Sequence, residues 1–314
     1  MATPQVIVHE GRYDGQIYRE RVNRSECFLG RTPAEQAASQ DKLSGATVGI
    51  AGAGGIGGAI ALRLARLGVR HLKLADPQSF DWTNVNRQLG ATRHTIGRNK
   101  AEVVGELVYD MAGDVTVEVY PEGITRNNAE PFVEGCDLVL DQLEFFVIAE
   151  KFALHRAFRR HRRTKCIVCC SVVGWAGHLY KFEHDSLPIE QWYGLPDDAP
   201  ITPEVTDRLI RLWAPRLPRF PSYEGVQEWM ARNKAAPIFT GAPPLAEGLL
   251  IQRIALVLMD LERPPYATPL PPIPHMYCYD AATLEGHMVV SDGAFKNRAE
   301  NEALWASHDA AAVA

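Results

Sequence analysis

The stretch from Thr47 to Leu67, TVGIAGAGGIGGAIALRLARL, constrains the chain more than any other. An apolar run, Val48 to Ala51, breaks into four glycines, Gly52, Gly54, Gly55 and Gly57. Ile60, Leu64 and Leu67 then recur at helical spacing. Strand, glycine turn and helix in that order suit a nucleotide. Gly52 permits a sharp turn, Gly54 lets the backbone approach a phosphate, and Gly57 lets the helix pack closely on the strand. The first N–H groups and positive end of the helix then face the anion. A second apolar run, His71 to Ala75, ends in Asp76, about 20 residues on, where a carboxylate can accept hydrogen bonds from ribose hydroxyls. Nucleotide binding is therefore expected, although a nicotinamide cofactor fits these features as well as ATP does.

The chain is 46% hydrophobic and 23% charged, with a formal net charge of −5, a globular balance that requires no nucleic-acid partner. The opening MATPQVIVHE lacks the basic start and apolar core of a signal peptide, and no long apolar run suggests a membrane span. A cytoplasmic location is expected. Cys166, Cys169 and Cys170 crowd into one apolar stretch, which reads as free thiols rather than a disulfide framework.

Four segments are expected. Residues 1–45 form a helical leader, in which Thr32, Pro33 and Glu35 fit a capped helix start running to about Lys42. Arg21 and Arg24 lie three apart ahead of it and, from composition alone, read as a solvated pair. Residues 46–182 form a nucleotide-binding core with strands at 47–51, 70–75, 115–120 and 137–141, and helices at 57–67, 98–112 and 145–162. The last of these helices ends in the basic run Arg159 to Arg163, which reads as a solvated helix end complementing the dipole. In 165–182 a buried strand is followed by an alternating one. Residues 183–236, rich in proline and tryptophan, read as an ordered insertion with a helix over 201–212. Residues 237–314 hold an apolar helix near 245–260, a proline-rich loop, a hairpin at 275–280 and 286–291, and an alanine-rich tail. The alternation predicts an α/β fold: a Rossmann-like, doubly wound, mostly parallel sheet with an antiparallel extension. Ligands then bind beyond the carboxyl ends of the strands, where Asp76 and Asp141 fall.

The stretch after Asp76 favours a polyphosphate. Asn84, Asn86, Arg87 and Gln88 fall within five residues, and such a cluster is costly to bury without a ligand. Arg87 matches phosphate oxygens bidentately. Lys100 stands at a helix start, against the dipole, where a nearby anion would account for it. A dehydrogenase needs no such second set of anion-binding groups.

With these residues in place the chain resembles the ubiquitin-activating-enzyme-like (ThiF–MoeB–HesA) family, which includes the adenylyltransferases of thiamine and molybdopterin synthesis. The matching pieces are RVNRS (21–25), GAGGIG (52–57), Asp76, NVNRQ (84–88), Lys100, DLVLD (137–141) and YDAATLEGHMV (279–289). The resemblance implies ATP and Mg²⁺ as cofactors. It also implies activation of a carboxylate as an acyl-adenylate, with release of pyrophosphate. The carboxylate would be the C-terminus of a carrier protein or peptide, or a small acid. A homodimer is implied, with Arg24 reaching into the partner's site, which reverses the composition-only reading. Gly52, Gly54, Gly55 and Gly57 would hold the nucleotide and Asp76 the ribose, while Asn84, Arg87, Gln88 and Lys100 would bind phosphates.

Three departures bear on activity. Where the family has Asp-Asn and a later arginine, this chain has Glu144, Phe145 and Ala149. Glu144 keeps a carboxylate for Mg²⁺, with Asp141 as the alternative ligand. Paired C-x-x-C motifs for zinc are lacking, so no zinc is expected. No cysteine falls in 183–236 to form a thioester, so direct transfer to an external nucleophile is expected. A non-catalytic family member and an NAD-dependent oxidoreductase are the alternatives.

Overall fold

The computed structural model describes residues 5–215, 221, 223–233 and 235–291; the alanine-rich tail and Pro218 of the insertion lie outside them. Their strands form one nine-stranded sheet. The strands are β1 (Ile7–His9), β2 (Thr47–Ala51), β3 (His71–Ala75), β4 (Thr116–Tyr120), β5 (Leu138–Asp141), β6 (Ile167–Val173), β7 (Ala176–Phe182), β8 (His275–Asp280) and β9 (Glu285–Val290). Their spatial order is β1-β4-β3-β2-β5-β6-β7-β8-β9. The run β4-β3-β2-β5-β6 is parallel, with Thr47 opposite His71 and Val48 opposite Leu138. Antiparallel strands extend both edges: β1 on β4, and β7, β8 and β9 beyond β6. The order reverses at β2, and that crevice is where such sheets bind ligands.

The helices are α1 (Gly15–Val22), α2 (Pro33–Gly45), α3 (Gly57–Leu67), α4 (Lys100–Ala112), α5 (Ala129–Val133), α6 (Ile148–Arg160), α7 (Ile189–Tyr193), α8 (Pro203–Trp213), α9 (Tyr223–Asn233) and α10 (Ala242–Leu258). Local chemistry sets their ends. Thr32 caps α2, its hydroxyl accepting from Glu35 N at 3.2 Å with Pro33 following. Asn99 caps α4 in the same way, accepting from Glu102 N at 3.1 Å. Helix α3 stops at Gly68, whose φ of +116° is a left-handed conformation that costs glycine little.

Two apolar layers cover the sheet. One joins α3, α4 and α10 to β2, β3 and β4. The other joins α5 and α6 to the insertion, burying Trp192, Tyr193, Leu209 and Leu212 with Phe132 and Phe152. The insertion is therefore part of the second core layer. It also explains β7, which is buried at every position rather than at alternate ones. Gly177 packs under Leu249 of α10 on one face, while Tyr180 meets Trp192 on the other.

The basic run at the end of α6 is a neutralised helix end. Arg159 pairs with Glu190 at 2.6 Å, Arg163 with Asp137 at 3.1 Å, and Arg160 with Glu130. Among the described residues no helix is long and apolar enough to cross a membrane.

Candidate active site

A cleft of about 470 Å³ opens over the carboxyl ends of the parallel strands. Its floor is the glycine turn. Gly52 takes φ +99°, and a Cβ there would stand 2.4 Å from the Gln142 carbonyl oxygen. At Gly57 a Cβ would fall 1.8 Å from the Gly52 carbonyl oxygen, so helix and strand can meet only through glycine. Gly54 is different: the nearest atom to a Cβ there, on Gln88, is 3.8 Å away. A side chain at Gly54 would fill the cleft rather than strike the protein, as expected of a cradle for a phosphate.

Around this floor the structure gathers Gly52, Gly54, Gly55, Gly57, Asp76, Arg87, Gln88, Lys100, Asp141 and Glu144. Asp76 directly follows β3, and its two oxygens accept from Ala53 N at 2.8 Å and Gln78 N at 2.9 Å, tying the glycine turn to the strand beside it. Burial pushes its carboxyl up; these bonds and Lys100 work against that. Lys100 Nζ donates to Gln78 Oε1 at 2.8 Å. Burial holds both Lys100 and Arg87 below their ordinary pKa values, only partly offset by Asp76 at Lys100 and by Glu144 at Arg87. Two partly desolvated cations facing one cleft favour an incoming polyanion. Gln88 Oε1 and Gln142 Nε2 are buried at the cleft and have no partner among the described residues. Polar groups left in this way fit a polar ligand.

Asn84 and Arg24 do not line the cleft. Asn84 is 5% exposed and closes a capping box with Asp81. Its carbonyl accepts from Arg87 N at 3.0 Å and Gln88 N at 2.9 Å, so it builds the turn that presents those two side chains. Arg24 is exposed on a 3-10 turn after α1. The two leader arginines do not share a role: Arg21 bonds Asp114 at 2.6 Å and the Ala65 carbonyl, holding the leader to α3.

The two acids expected at a metal also separate. Asp141 is 2% exposed, and its carboxylate accepts from Lys151 Nζ at 2.7 Å and Leu143 N at 3.1 Å. His155 Nε2 lies 3.1 Å from the second oxygen; a carboxylate only accepts, so that nitrogen carries the hydrogen. Burial alone would raise the Asp141 carboxyl, but Lys151 and His155 outweigh it and hold it at about 2. Asp141 is thus a poor metal ligand: its charge is already met from below. Glu144 is exposed at the cleft, which Glu122 and Glu150 also line. Neither Lys151 nor His155 was anticipated; Lys151 lies ten residues after Asp141 on α6, and nothing in its spacing marked it as buried.

The Asp141–Lys151–His155 cluster makes stability depend on pH. Burial pushes the His155 imidazole below its usual 6.5 despite Asp141, and burial with Arg70 does the same at His71. Below pH 6.5 the unfolded chain therefore binds more protons than the folded one, so stability falls on acidification. Asp141 adds a second loss, which sets in as pH drops through 3.8 toward about 2. The urea midpoint is expected to be lower at pH 5 than at pH 7, with a smaller drop in His155→Phe. An unchanged midpoint would contradict the neutral, buried imidazole.

Together the sheet and this cleft define a class: a nucleotide-binding, Rossmann-like domain of the E1-like type. The ThiF family model matches residues 30–208, and the chain belongs to that family. Among its relatives, an adenylyltransferase and sulfurtransferase MOCS3 of Culex quinquefasciatus is 30% identical over 149 residues, 48% of this chain and 33% of that protein. A tRNA threonylcarbamoyladenosine dehydratase of Bacillus subtilis is 33% identical over 122 residues, 38% of this chain and 46% of that one. The chain thus spans less than half the length of these relatives. Among solved structures, PaaA superposes with a TM-score of 0.63 at 15% identity, covering 89% of this chain and 75% of that one. E. coli MccB with ATP gives 0.59 at 15% identity, covering 90% and 75%.

Proposed function

We propose that the protein is an ATP-dependent adenylyltransferase that activates a carboxylate as an acyl-adenylate. The observation that carries this is the pair of partly desolvated cations, Arg87 and Lys100, facing the glycine cradle. A substrate carboxylate is already ionised at neutral pH, so its attack on the α-phosphorus needs no general base. As the new P–O bond forms, the bond from the α-phosphorus to the bridging oxygen breaks and pyrophosphate leaves. What the reaction asks of the protein is alignment and positive charge around the phosphoryl oxygens.

In this reading Gly52, Gly54, Gly55 and Gly57 cradle the phosphates and Asp76 takes the ribose. Arg87 and Lys100 stabilise the charge that moves toward pyrophosphate. Gln88 offers an amide to the ligand, and Asn84 acts by holding the turn beneath it. Mg²⁺ would be held by Glu144, since this ion commonly takes one or two carboxylates and completes its shell with phosphates and water; it supplies neutralising charge on the polyphosphate. Cys166, Cys169 and Cys170 take no part: burial pushes the Cys166 thiol up to about 12 and raises the other two as well, so none is a ready nucleophile. The MccB structures with ATP and with N-formylated MccA support ATP and a peptide-type acyl substrate.

Calorimetry with Mg²⁺–ATP and with NAD tests the nucleotide. ATP is expected to bind and NAD not; tight NAD binding without ATP binding would overturn the proposal. ATP binding without pyrophosphate exchange would instead identify a non-catalytic family member.

The family resemblance supports a homodimer in which Arg24, exposed and absent from the lining of its own cleft, serves the partner's site. Mixing inactive Arg24→Ala with inactive Arg87→Ala is expected to restore part of the activity, because one site in the mixed dimer then has both arginines. An active monomer by light scattering at micromolar concentration would sink this part.

A further inference from the structure

The glycine cradle takes up only one end of the cleft. Apolar residues from other elements complete the lining: Val172 and Val173 end β6, Ile210 and Trp213 come from α8, and Pro237 and Ile238 precede α10, with Glu122, Glu150 and Ser171 as further polar members. The wall is held in place. Trp213 meets Phe145 edge-on at 5.9 Å and Tyr180 at 6.1 Å, and its carbonyl accepts from Ser171 Oγ at 3.2 Å. The Lys151 ammonium lies 4.5 Å from the centre of its ring. On the other side Asn86 Nδ2 donates to the Ile238 carbonyl at 3.3 Å, joining this wall to the turn that carries Arg87. The cations among the described lining residues, Arg87 and Lys100, both belong to the phosphate end.

We propose that this second compartment selects the acyl substrate by an apolar side chain next to the reacting carboxylate. It favours a peptide or N-acylated amino acid ending in leucine, isoleucine, valine, methionine or phenylalanine over one ending in glycine or in a second acid. The inference rests on the adenylation reading, which puts the reacting carboxylate between the two ends of the cleft. A terminal glycine leaves the six apolar side chains facing water, whereas a branched or aromatic one removes that surface from solvent. Differences of one or two carbon groups in such a pocket discriminate by about 10- to 200-fold. A second carboxylate would be desolvated against this wall with no counter-charge, which disfavours aspartate and glutamate.

The test uses the whole protein saturated with Mg²⁺ and AMPCPP, which blocks turnover. Calorimetry is run with N-acetyl-leucine, N-acetyl-phenylalanine, N-acetyl-glycine and N-acetyl-glutamate, and pyrophosphate exchange is measured with the same four acids and ATP. The leucine and phenylalanine derivatives are expected to bind about 10-fold or more tightly than the other two. Ile210→Ser is expected to narrow the gap and Ile210→Val to keep it, with unchanged circular dichroism showing that both variants fold. Equal or tighter binding of the glycine or glutamate derivative, or no binding of either apolar acid, overturns the compartment. Exchange driven best by the glycine derivative also overturns it and leaves adenylation standing. An apolar preference in binding with no exchange for any of the four supports the compartment while removing the adenylation reading.

Discussion

Lys151→Met is expected to lower the free energy of unfolding by about 3–5 kcal/mol, because it strands the Asp141 carboxylate without its cation. Both side chains are essentially fully buried and lie 2.7 Å apart. With Lys151 gone, Asp141 keeps only the neutral His155 and one backbone amide, and must either stay charged in an apolar layer or take up a proton. Methionine fills a volume similar to lysine's, so a cavity is not the cause of the loss. Asp141→Asn is expected to cost a similar amount by stranding the ammonium instead. The control is the triple change Asp141→Leu, Lys151→Met, His155→Phe. It removes every polar partner together, and exchanges of this kind are often neutral or stabilising. Urea unfolding at pH 7 separates the cases. A loss below about 1 kcal/mol in Lys151→Met would mean that the pair is solvated in solution, as exposed pairs of that worth are.

Glu144→Ala is expected to slow pyrophosphate exchange by about 10²-fold or more, on the order of 3 kcal/mol of transition-state stabilisation. A carboxylate that positions charge on the polyphosphate matters most while the α-phosphoryl group is in transfer, so the rate suffers more than ATP affinity. Glu144→Asp is expected to keep activity, since it restores the residue usual in the resembled family. Asp141→Ala, for comparison, is expected to lower stability before it lowers rate, given its bonds to Lys151 and His155. Exchange at the wild-type rate in Glu144→Ala would remove Glu144 from the mechanism.

Much of the core was legible because its signals are local. The run TVGIA occupies β2 residue for residue, and α3 starts at Gly57 and ends at Leu67 as its spacing implies. Here one apolar face, one glycine turn and one left-handed glycine stop set the element without help from elsewhere. Strand β1 was not anticipated. It is three residues long, and its pairing with β4 is a contact over about a hundred positions that no nearby residue announces. The alternation expected in β7 failed because the insertion and α10 cover both of its faces, and burial of a face is a tertiary property.

The site divides in the same way. Arg87, Lys100 and Asp76 stand beside motifs whose spacing carries their role, and all three line the cleft. Asn84 belongs to the same motif but turns inward to cap, and a sequence of amides does not say which will face outward. Trp213, Ile210 and Ile238 had no motif at all. Ile210 and Trp213 reach the cleft because the insertion folds back across the end of β6, and Ile238 because the approach to α10 is tied to Asn86.

The two ends of the cleft are also built from different parts of the chain. The cradle and its cations come from residues 52–100, all within the stretch matched by the family model. Of the six apolar residues, Val172 and Val173 fall within that stretch, while Ile210 and Trp213 lie just beyond its end and Pro237 and Ile238 further on. On the proposed reading, the α8 and α10 side of the wall can vary while the cradle stays fixed. Recruiting such a protein to a new acid would then be a matter of altering a few side chains around α8 and the approach to α10, with the phosphate end left unchanged. An engineer retargeting it would diversify those positions and leave the glycine turn alone.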